Sequence, residues 1–288
     1  MEKYYRFSGI ELAVELPDDR AYSGDMQLTA FRRDRVTDPH RYCITVVPRL
    51  EPPEGQELAA PPGSRIYGTD GGYVRYVGSV VDSVEHAHIR AEHRGKMHRV
   101  SITQRHAETV ISPRLVLNAL DVEHLVSDAG GVILHASYID WEGRGILFTA
   151  PSETGKTTQA ELWKQHRGAD IINGDRAVVI PGDGSLCAGG LPFSGSSRYC
   201  ENRTLPLAAI VYLKQAPVTT IRRLKGMEAF RRVWEGVCIN NWNREDTAKA
   251  LNLVQILLEK IPVYELACTP DESAVNALET QIRKQVTL

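Results

Sequence analysis

The sequence predicts a mixed α/β protein with a β-rich domain at its N-terminus. Two observations indicate this fold class. Residues 1–110 contain short β-branched or alternating runs between glycine and proline clusters, which is typical of strands and turns. Residues 111–288 combine strand-like runs with several helix-forming segments, which is typical of α/β structure. We therefore expect two domains, one over residues 1–110 and the other over residues 111–288.

Three runs carry the strand prediction for the N-terminal domain. Residues 42–47 are β-branched, residues 71–78 alternate between flanking glycines, and residues 100–103 continue this pattern. The breaker clusters at residues 51–55 and 61–64 predict the loops between the strands.

Capping residues and apolar spacing predict the helices of the second domain. Ser112 and Pro113 supply an N-cap and a first-turn proline, and Gly130 ends the apolar pattern that follows. Further helices are predicted over residues 227–234, 245–260 and 271–284, with a short strand over residues 263–266 between the last two.

The composition indicates a folded protein without a bulk affinity for nucleic acid. The chain has 288 residues, of which 42% are hydrophobic and 24% are charged, close to the average of globular proteins. Lys and Arg number 34 and Asp and Glu number 36, which gives a formal net charge of -2 at pH 7. Nonspecific binding of nucleic acid needs a basic excess, so we expect no nucleic-acid partner.

The cysteine pattern and the lengths of the apolar runs favour a cytoplasmic location. The five cysteines are widely spread and form no Cys-x-x-Cys pair, so neither a disulfide framework nor a structural zinc site is expected. No apolar stretch approaches the ~20 residues of a membrane span, and the N-terminus leads into no signal-peptide core. We therefore expect no membrane partner.

One segment, residues 145–158, carries the main chemical signal. Ala150 begins a match to the phosphate-binding loop, four residues follow, and Gly155-Lys156-Thr157 completes it, with Ala in place of the first Gly. A strand-like run precedes the loop and a helix-forming run follows it, in the order that this motif requires. Without a ligand, the same pattern would be an ordinary junction between a strand and a helix.

A loop of this kind binds a nucleoside triphosphate through backbone N–H groups and a lysine. The amides and the helix N-terminus offer positive partial charge, and Lys156 would reach the β- and γ-phosphates. The hydroxyl of Thr157 would bind Mg²⁺, which prefers oxygen ligands. We therefore expect ATP and Mg²⁺ as cofactors. The candidate cofactor-binding residues are Ser152, Glu153, Thr154, Gly155, Lys156, Thr157 and Thr158.

Asp175 follows the loop after one short predicted helix. Residues 169–180 predict two strands broken at Asn173-Gly174, and a parallel βαβ connection would bring the end of the first strand beside the phosphate-binding loop. A carboxylate at this place can hold Mg²⁺ or accept a proton from a substrate hydroxyl. Alternatively, Asp175 is only a turn residue, because Asn-Gly-Asp is favourable turn chemistry.

A glycine- and serine-rich stretch over residues 189–198 is the third candidate. Ser194, Ser196 and Arg198 could shape a phosphate or substrate pocket, with the arginine supplying positive charge. The alternative is an ordinary surface loop, since glycine and serine are common in loops.

Three segments together resemble the catalytic domain of HPr serine kinase/phosphorylase, a family related to phosphoenolpyruvate carboxykinases. They are residues 134–137 with His135, residues 145–158, and residues 173–176 with Asp175. The resemblance implies a P-loop catalytic core of the HPr kinase/PEP carboxykinase type, with Asp175 as catalytic base and His135 supporting it. The family tends to assemble, so a homo-oligomer is a further expectation. The stretch 189–198 is more similar to divergent HPr-kinase-like proteins of bacterial peptide-modification clusters.

The main hypothesis is an ATP-dependent kinase that transfers the γ-phosphate to a hydroxyl, with Ser or Thr of a peptide or small protein as the expected acceptor. Its catalytic residues would be Asp175, His135 and Lys156. Thr157 and Asp175 would be the metal ligands, and Ser194, Ser196 and Arg198 would contact the substrate.

Two alternatives remain open. One is a nucleotide-binding scaffold or peptide-recognition partner without turnover, which the loss of loop glycines and the single acidic residue before Arg176 favour. The other is a kinase of a small-molecule hydroxyl. No base-reading motif separates ATP from GTP.

Overall fold

The computed structural model describes residues 2–17, 28–78, 83–107, 119–195 and 197–286. The chain divides into two compact units, Met1–Val122 and Glu123–Leu288, and each is described by itself. The boundary predicted after residue 110 falls within residues 108–118, outside the described residues, and stays a prediction.

A nine-stranded sheet forms the described part of the first unit. Its strands are β1 (Glu2–Phe7), β2 (Ile10–Glu15), β3 (Arg32–Arg33), β4 (His40–Val47), β5 (Glu57–Ala59), β6 (Ser64–Thr69), β7 (Gly72–Val77), β8 (Ile89–Arg94) and β9 (Met97–Thr103). In the sheet they lie in the order β3-β1-β2-β4-β9-β8-β7-β6-β5. Strand β4 runs parallel to β2 and β9, and the other neighbours pair antiparallel.

Three of these strands confirm predictions from the sequence, because β4, β7 and β9 lie at the runs predicted to be strands. The first hairpin turns at Ser8 and Gly9, whose φ angles of 46° and 80° suit a tight turn between twisted antiparallel strands. Short helical segments at Thr29–Phe31 and Val84–His86 lie between strands of this unit, and α1 (Gln104–Ala107) follows β9.

The second unit is built on another sheet, with nine strands among the described residues. They are β10 (Val132–Trp141), β11 (Arg144–Thr149), β12 (Asp170–Asn173), β13 (Arg176–Pro181), β14 (Leu186–Gly189), β15 (Thr204–Gln215), β16 (Thr220–Leu224), β17 (Val237–Cys238) and β18 (Val263–Cys268). The main path is β11-β10-β13-β14-β15-β18-β16, and β12 and β17 also pair with β10. Strand β15 runs parallel to both β11 and β18.

The helices of the second unit follow the sequence closely. They are α2 (Val122–Asp128), α3 (Lys156–Arg167), α4 (Gly226–Trp234), α5 (Arg244–Lys260) and α6 (Glu272–Val286). Helices α4, α5 and α6 and strand β18 confirm the elements predicted for the C-terminal third. The helix start predicted at Ser112 and Pro113 lies outside the described residues. Within the described ranges, no helix combines the length and the apolar character that a bilayer crossing requires.

Strand β10 lies between two apolar cores because its side chains alternate between the faces of the sheet. Leu134, Ala136 and Tyr138 pack into one core, together with residues of α4 and α5. Ile139 and Trp141 pack into the other core, together with residues of α3 and α6. The sheet is therefore covered by helices on both faces in this part of the unit.

Trp163 fixes helix α3 to the sheet. Its side chain is fully buried, and its ring centroid lies 4.9 Å from that of Trp141 in an edge-to-face arrangement and 6.5 Å from that of Phe148. Aromatic pairs of this geometry stabilise a core beyond the effect of burial alone. Because α3 begins at Lys156, this packing also fixes the C-terminal end of the loop that precedes the helix.

Replacing Trp163 with alanine should lower the free energy of unfolding by about 3–5 kcal/mol, since a large buried aromatic leaves a cavity that the core fills only in part. Urea denaturation followed by circular dichroism measures this change. Leu251→Ala is the matched control, because Leu251 is 42% exposed on helix α5, and it should cost less than about 1 kcal/mol. A similar loss for both variants would contradict the packing described for Trp163.

Candidate functional site

The phosphate-binding loop predicted from the sequence connects strand β11 to helix α3, and this order of strand, loop and helix is confirmed. The loop needs two residues in the left-handed region. Gly155, at the N-cap of α3, has φ 110°, and Glu153 has φ 64°. Glycine adopts such angles without a steric penalty, whereas a glutamate pays a conformational cost of about 1–2 kcal/mol. Glu153 therefore holds a backbone angle that glycine adopts more easily.

Lys156 lies at the first position of α3 with its side chain almost entirely buried. Its Nζ donates hydrogen bonds to the carbonyl oxygens of Ala150, at 3.0 Å, and Pro151, at 3.3 Å. Burial lowers the pKa of the ammonium, and the carboxylate of Asp175 opposes this by raising it. The loop thus carries a cation whose burial makes an anionic partner favourable.

Asn173 holds the turn that presents Asp175. This asparagine is fully buried at the end of β12, and its side-chain oxygen accepts hydrogen bonds from the backbone N–H groups of Asp175 and Arg176, each at 2.9 Å. Its side-chain nitrogen donates to the carbonyl oxygens of Leu191, at 3.0 Å, and Phe193, at 2.8 Å. Sequence reasoning treated Asn173 only as a turn residue. The signal that could have identified it is the tendency of asparagine to bond the backbone two residues onward.

The loop and the turn are neighbours, as expected, and a third strand lies between the two strands that precede them. Strands β11 and β12 are both antiparallel to β10, so they run parallel to each other with β10 between them. Helix α3 joins these two parallel strands, so the predicted βαβ connection is present, and the strand β10 between them is the feature that the sequence did not predict. The hydroxyl of Thr157 donates to the carbonyl oxygen of Gly174 at 3.3 Å, and the hydroxyl of Ser137 donates to the same oxygen at 2.9 Å. Ser137, on the intervening strand, was not predicted from the sequence.

His135 and Asp175 lie side by side. The Nδ1 of His135 is 3.1 Å from the carbonyl oxygen of Asp175 and 3.4 Å from its carboxylate oxygen Oδ1. The Nε of Arg176 lies 3.6 Å from the other carboxylate oxygen. Burial lowers the pKa of His135, the ammonium of Lys156 lowers it further, and Asp175 opposes both. A neutral imidazole can therefore orient this carboxylate near pH 7.

Residues 194, 195 and 197, in the predicted glycine- and serine-rich stretch, lie close to the same carboxylate or to the turn that carries it. A Cβ atom at Gly195 would lie 2.8 Å from the Cγ of Asp175, and Gly195 has φ 57°, so glycine is required here for two reasons. A Cβ at Gly174 would meet the hydroxyl of Ser197 at 2.1 Å. The buried Ser194 donates through its hydroxyl to the carbonyl oxygen of Ser197 at 2.6 Å. This close packing places a serine-bearing loop beside Asp175.

A cavity of about 540 Å³ brings most of the predicted residues together. Its volume suits a small-molecule site. Its lining includes the predicted residues His135, Ser152, Glu153, Gly155, Lys156, Thr157, Thr158, Asp175 and Ser194, and also Gly174 and Ser197.

Three predicted residues are not placed in this cavity. Thr154 lies in the loop but lines a neighbouring cavity. Arg198 is exposed, and its guanidinium lies over the ring of Tyr199, 5.2 Å from the centroid. Ser196 lies outside the described residues. The substrate roles of Arg198 and Ser196 stay predictions.

The donors in the cavity fit Mg²⁺. Thr157 and Asp175 offer a hydroxyl and a carboxylate oxygen, which are hard ligands of the kind that this ion binds. No cluster of three His, Cys, Asp or Glu residues able to hold a metal occurs in the described part of the chain. Mg²⁺ usually keeps several waters or ligand oxygens beside one or two protein ligands, so these two residues are compatible with it.

Fold and site define a mixed α/β protein with two large sheets and a polar cavity at a strand–loop–helix unit. A sequence model described as SynChlorMet cassette protein ScmC matches residues 101–280, which is more than half of the chain. The chain belongs to this ScmC family. The description as a cassette protein agrees with the resemblance to proteins of bacterial gene clusters.

The comparisons with curated proteins and with solved structures assign no family or activity. No curated protein matches the chain. The solved structure of the Hpr(Ser) kinase/phosphatase from Coxiella burnetii is 11% identical, with 54% of this chain and 96% of that chain covered and a TM-score of 0.33. A TM-score this low carries no conclusion about fold or activity, so the P-loop core of the HPr kinase type stays a prediction.

The titration of His135 tests the electrostatics of the site. Its pKa should lie below the usual ~6.5, and Lys156→Met should raise it because one neighbouring positive charge is lost. A pKa lowered in the folded state means that acid opposes folding. The usual pKa of about 6.5 applies to the unfolded chain, so the contribution of His135 to the free energy of unfolding is full above about pH 6.5. It is lost as the pH falls through the lowered pKa of the folded state.

Nuclear magnetic resonance of protein with labelled histidine rings measures this titration, and His135→Gln assigns the signal among the nine histidines. Lys164→Met is the control, because Lys164 is exposed on the same helix and should leave the pKa of His135 unchanged. An unchanged or lowered pKa in Lys156→Met would contradict the arrangement described here.

Proposed function

We propose that this protein is an ATP-dependent kinase that transfers the γ-phosphate to a hydroxyl group, with Ser or Thr of a peptide or small protein as acceptor. One observation carries the proposal. A single cavity is lined by the loop residues, by the buried cation Lys156, by the hydroxyl of Thr157 and by the carboxylate of Asp175. Phosphoryl transfer requires these groups and little further covalent chemistry from the protein.

The binding half of the site would hold the triphosphate. Backbone N–H groups of the loop and the N-terminus of α3 offer positive partial charge, and the ammonium of Lys156 offers a full charge. Thr157 and Asp175 would hold Mg²⁺, which neutralises phosphate charge when it is bound. The buried position of Lys156 limits its mobility, so its charge would be in place before the reaction begins.

The reacting half of the site would lie at Asp175. The acceptor oxygen forms a bond to the γ-phosphorus, the bond from that phosphorus to the bridging oxygen breaks, and ADP leaves. The carboxylate of Asp175 takes the hydroxyl proton, and the adjacent His135 orients this carboxylate. Ser194 and Ser197 line the same cavity and would be near the acceptor.

The acceptor class rests on the resemblance in residues 189–198 to proteins of peptide-modification clusters. Membership of a family described as cassette proteins is in keeping with it. Transfer to a small-molecule hydroxyl would use the same residues, so the assay below decides between a peptide and a small-molecule acceptor.

Glu153 favours the second candidate, a nucleotide-binding protein without turnover. Its side chain lines the cavity beside the phosphate-binding loop, where a carboxylate repels phosphate, and its backbone is held in a strained conformation. Binding of nucleotide without transfer would identify this alternative.

Lys156→Ala should lower phosphate transfer on the order of 10²–10³-fold, because a preorganised charge at the transferred group is lost. Asp175→Asn should lower it about 10²–10⁴-fold, because the proton acceptor is lost, and binding of ATP without Mg²⁺ should remain. The measurement uses radiolabelled ATP with Mg²⁺ and an array of Ser- and Thr-containing peptides, with a parallel binding titration of ATP and GTP.

Lys164→Ala is the control, since Lys164 is exposed on the same helix and does not line the cavity. It should keep full activity. Full transfer by Asp175→Asn would show that the assignment of the base is wrong. ATP binding by the unchanged protein with no transfer to any peptide or small-molecule hydroxyl would favour the non-catalytic alternative.

A further inference from the structure

We propose that a second cavity, which shares residues of the phosphate-binding loop with the first, binds the nucleoside part of the nucleotide, its base and ribose. This inference rests on the proposed function, because it concerns the same ligand. The cavity has a volume of about 550 Å³ and lies within the second unit. That volume falls within the range of small-molecule sites.

The position of the cavity in the sheet supports a ligand. Strands β11, β15 and β18 run parallel, and β15 ends at Gln215 opposite Cys268, the last residue of β18. Residues just beyond these two ends line the cavity, and the phosphate-binding loop follows the end of β11. Ligands of α/β proteins bind outside the carboxyl ends of parallel strands, where the loops diverge.

Three residues join the two cavities. Glu153, Gly155 and Thr158 line both the cavity at Asp175 and the cavity at the strand ends. A nucleotide whose phosphates lie along the loop would therefore extend into one cavity with its γ-phosphate and into the other with its nucleoside. The geometry gives the nucleotide one direction, because Asp175 and His135 line only the first cavity.

The second cavity has several apolar walls that suit a flat group, and the charged residues Glu153 and Lys214 also line it. Leu213, Ala216, Pro217, Cys268 and Pro270 supply apolar surface. The first cavity instead contains the charged groups that a polyphosphate and a reacting hydroxyl require. Ligand pockets combine apolar walls with a few polar groups that fix orientation.

Gln159 supplies such a polar group. It lies in the first turns of α3, is 3% exposed and lines the second cavity. Its side-chain nitrogen Nε2 is buried, and no hydrogen-bond partner for it is found among the described residues. A buried donor without a partner is unfavourable, and such groups are rare in folded proteins. An acceptor atom of a base or ribose would satisfy it.

The test compares the binding of ATP with that of inorganic tripolyphosphate, which has the phosphates but no nucleoside. Isothermal titration calorimetry with Mg²⁺ gives both affinities for the full chain. Gln159→Leu removes the donor at similar size and should weaken ATP binding about five- to tenfold, the effect of one hydrogen bond. The affinity for tripolyphosphate should change by less than about twofold, because the substitution removes no contact to a phosphate.

A second variant tests the cavity without altering α3. Ala216→Trp fills the space and keeps the backbone hydrogen bond from residue 216 to the carbonyl oxygen of Cys268. It should weaken ATP binding at least about tenfold, by steric exclusion of the nucleoside, and again spare tripolyphosphate. Gln165→Leu is the matched control, because Gln165 is exposed on the same helix and should change neither affinity. Circular dichroism verifies the fold of each variant.

The outcomes separate this inference from the proposed function. If both variants keep full ATP affinity, or weaken the binding of ATP and of tripolyphosphate equally, the second cavity does not bind the nucleoside. Binding of ATP and tripolyphosphate by the unchanged protein would still support the proposed phosphate site. If the unchanged protein binds neither ATP nor tripolyphosphate, the proposed function and this inference both fail. Loss of ATP affinity alone, in both variants, supports the inference.

Discussion

The side chain of Asn173 connects the segments on which the candidate site depends. Its oxygen fixes the backbone N–H groups of Asp175 and Arg176, and its nitrogen fixes the carbonyl groups of Leu191 and Phe193. Because the side chain is fully buried, each of these bonds would be costly to lose. One amide therefore determines where the carboxylate lies and how the serine-bearing loop packs against it.

The antiparallel strand β10 gives the site its second wall. It separates the two parallel strands β11 and β12, and its residues His135 and Ser137 contact the turn after β12. A βαβ unit whose two strands are adjacent in the sheet would place no side chains from a third strand between the loop and the turn. The imidazole next to Asp175 is thus a consequence of strand order.

Charge is distributed unevenly along the phosphate-binding loop. Lys156, His135 and Asp175 line one of the two cavities at the loop, and the other is lined mainly by apolar residues at the ends of β15 and β18, with Lys214 and Glu153. The buried ammonium and the neutral imidazole have pKa values lowered by the same cause, their removal from water. Under the proposed function, this arrangement would distinguish the phosphate end of the nucleotide from its nucleoside end.

The sequence by itself determined the local elements. Apolar periodicity and caps located α4, α5, α6 and several strands, and the spacing from Ala150 to Thr157 located the strand–loop–helix unit, because these signals lie within one segment. Only the tertiary structure decided the insertion of β10 between β11 and β12, the hydrogen bonds of the Asn173 side chain and the buried position of Gln159 beside the second cavity. Those features depend on which distant segments pair and on which polar atoms become buried, and neither is recorded in local spacing.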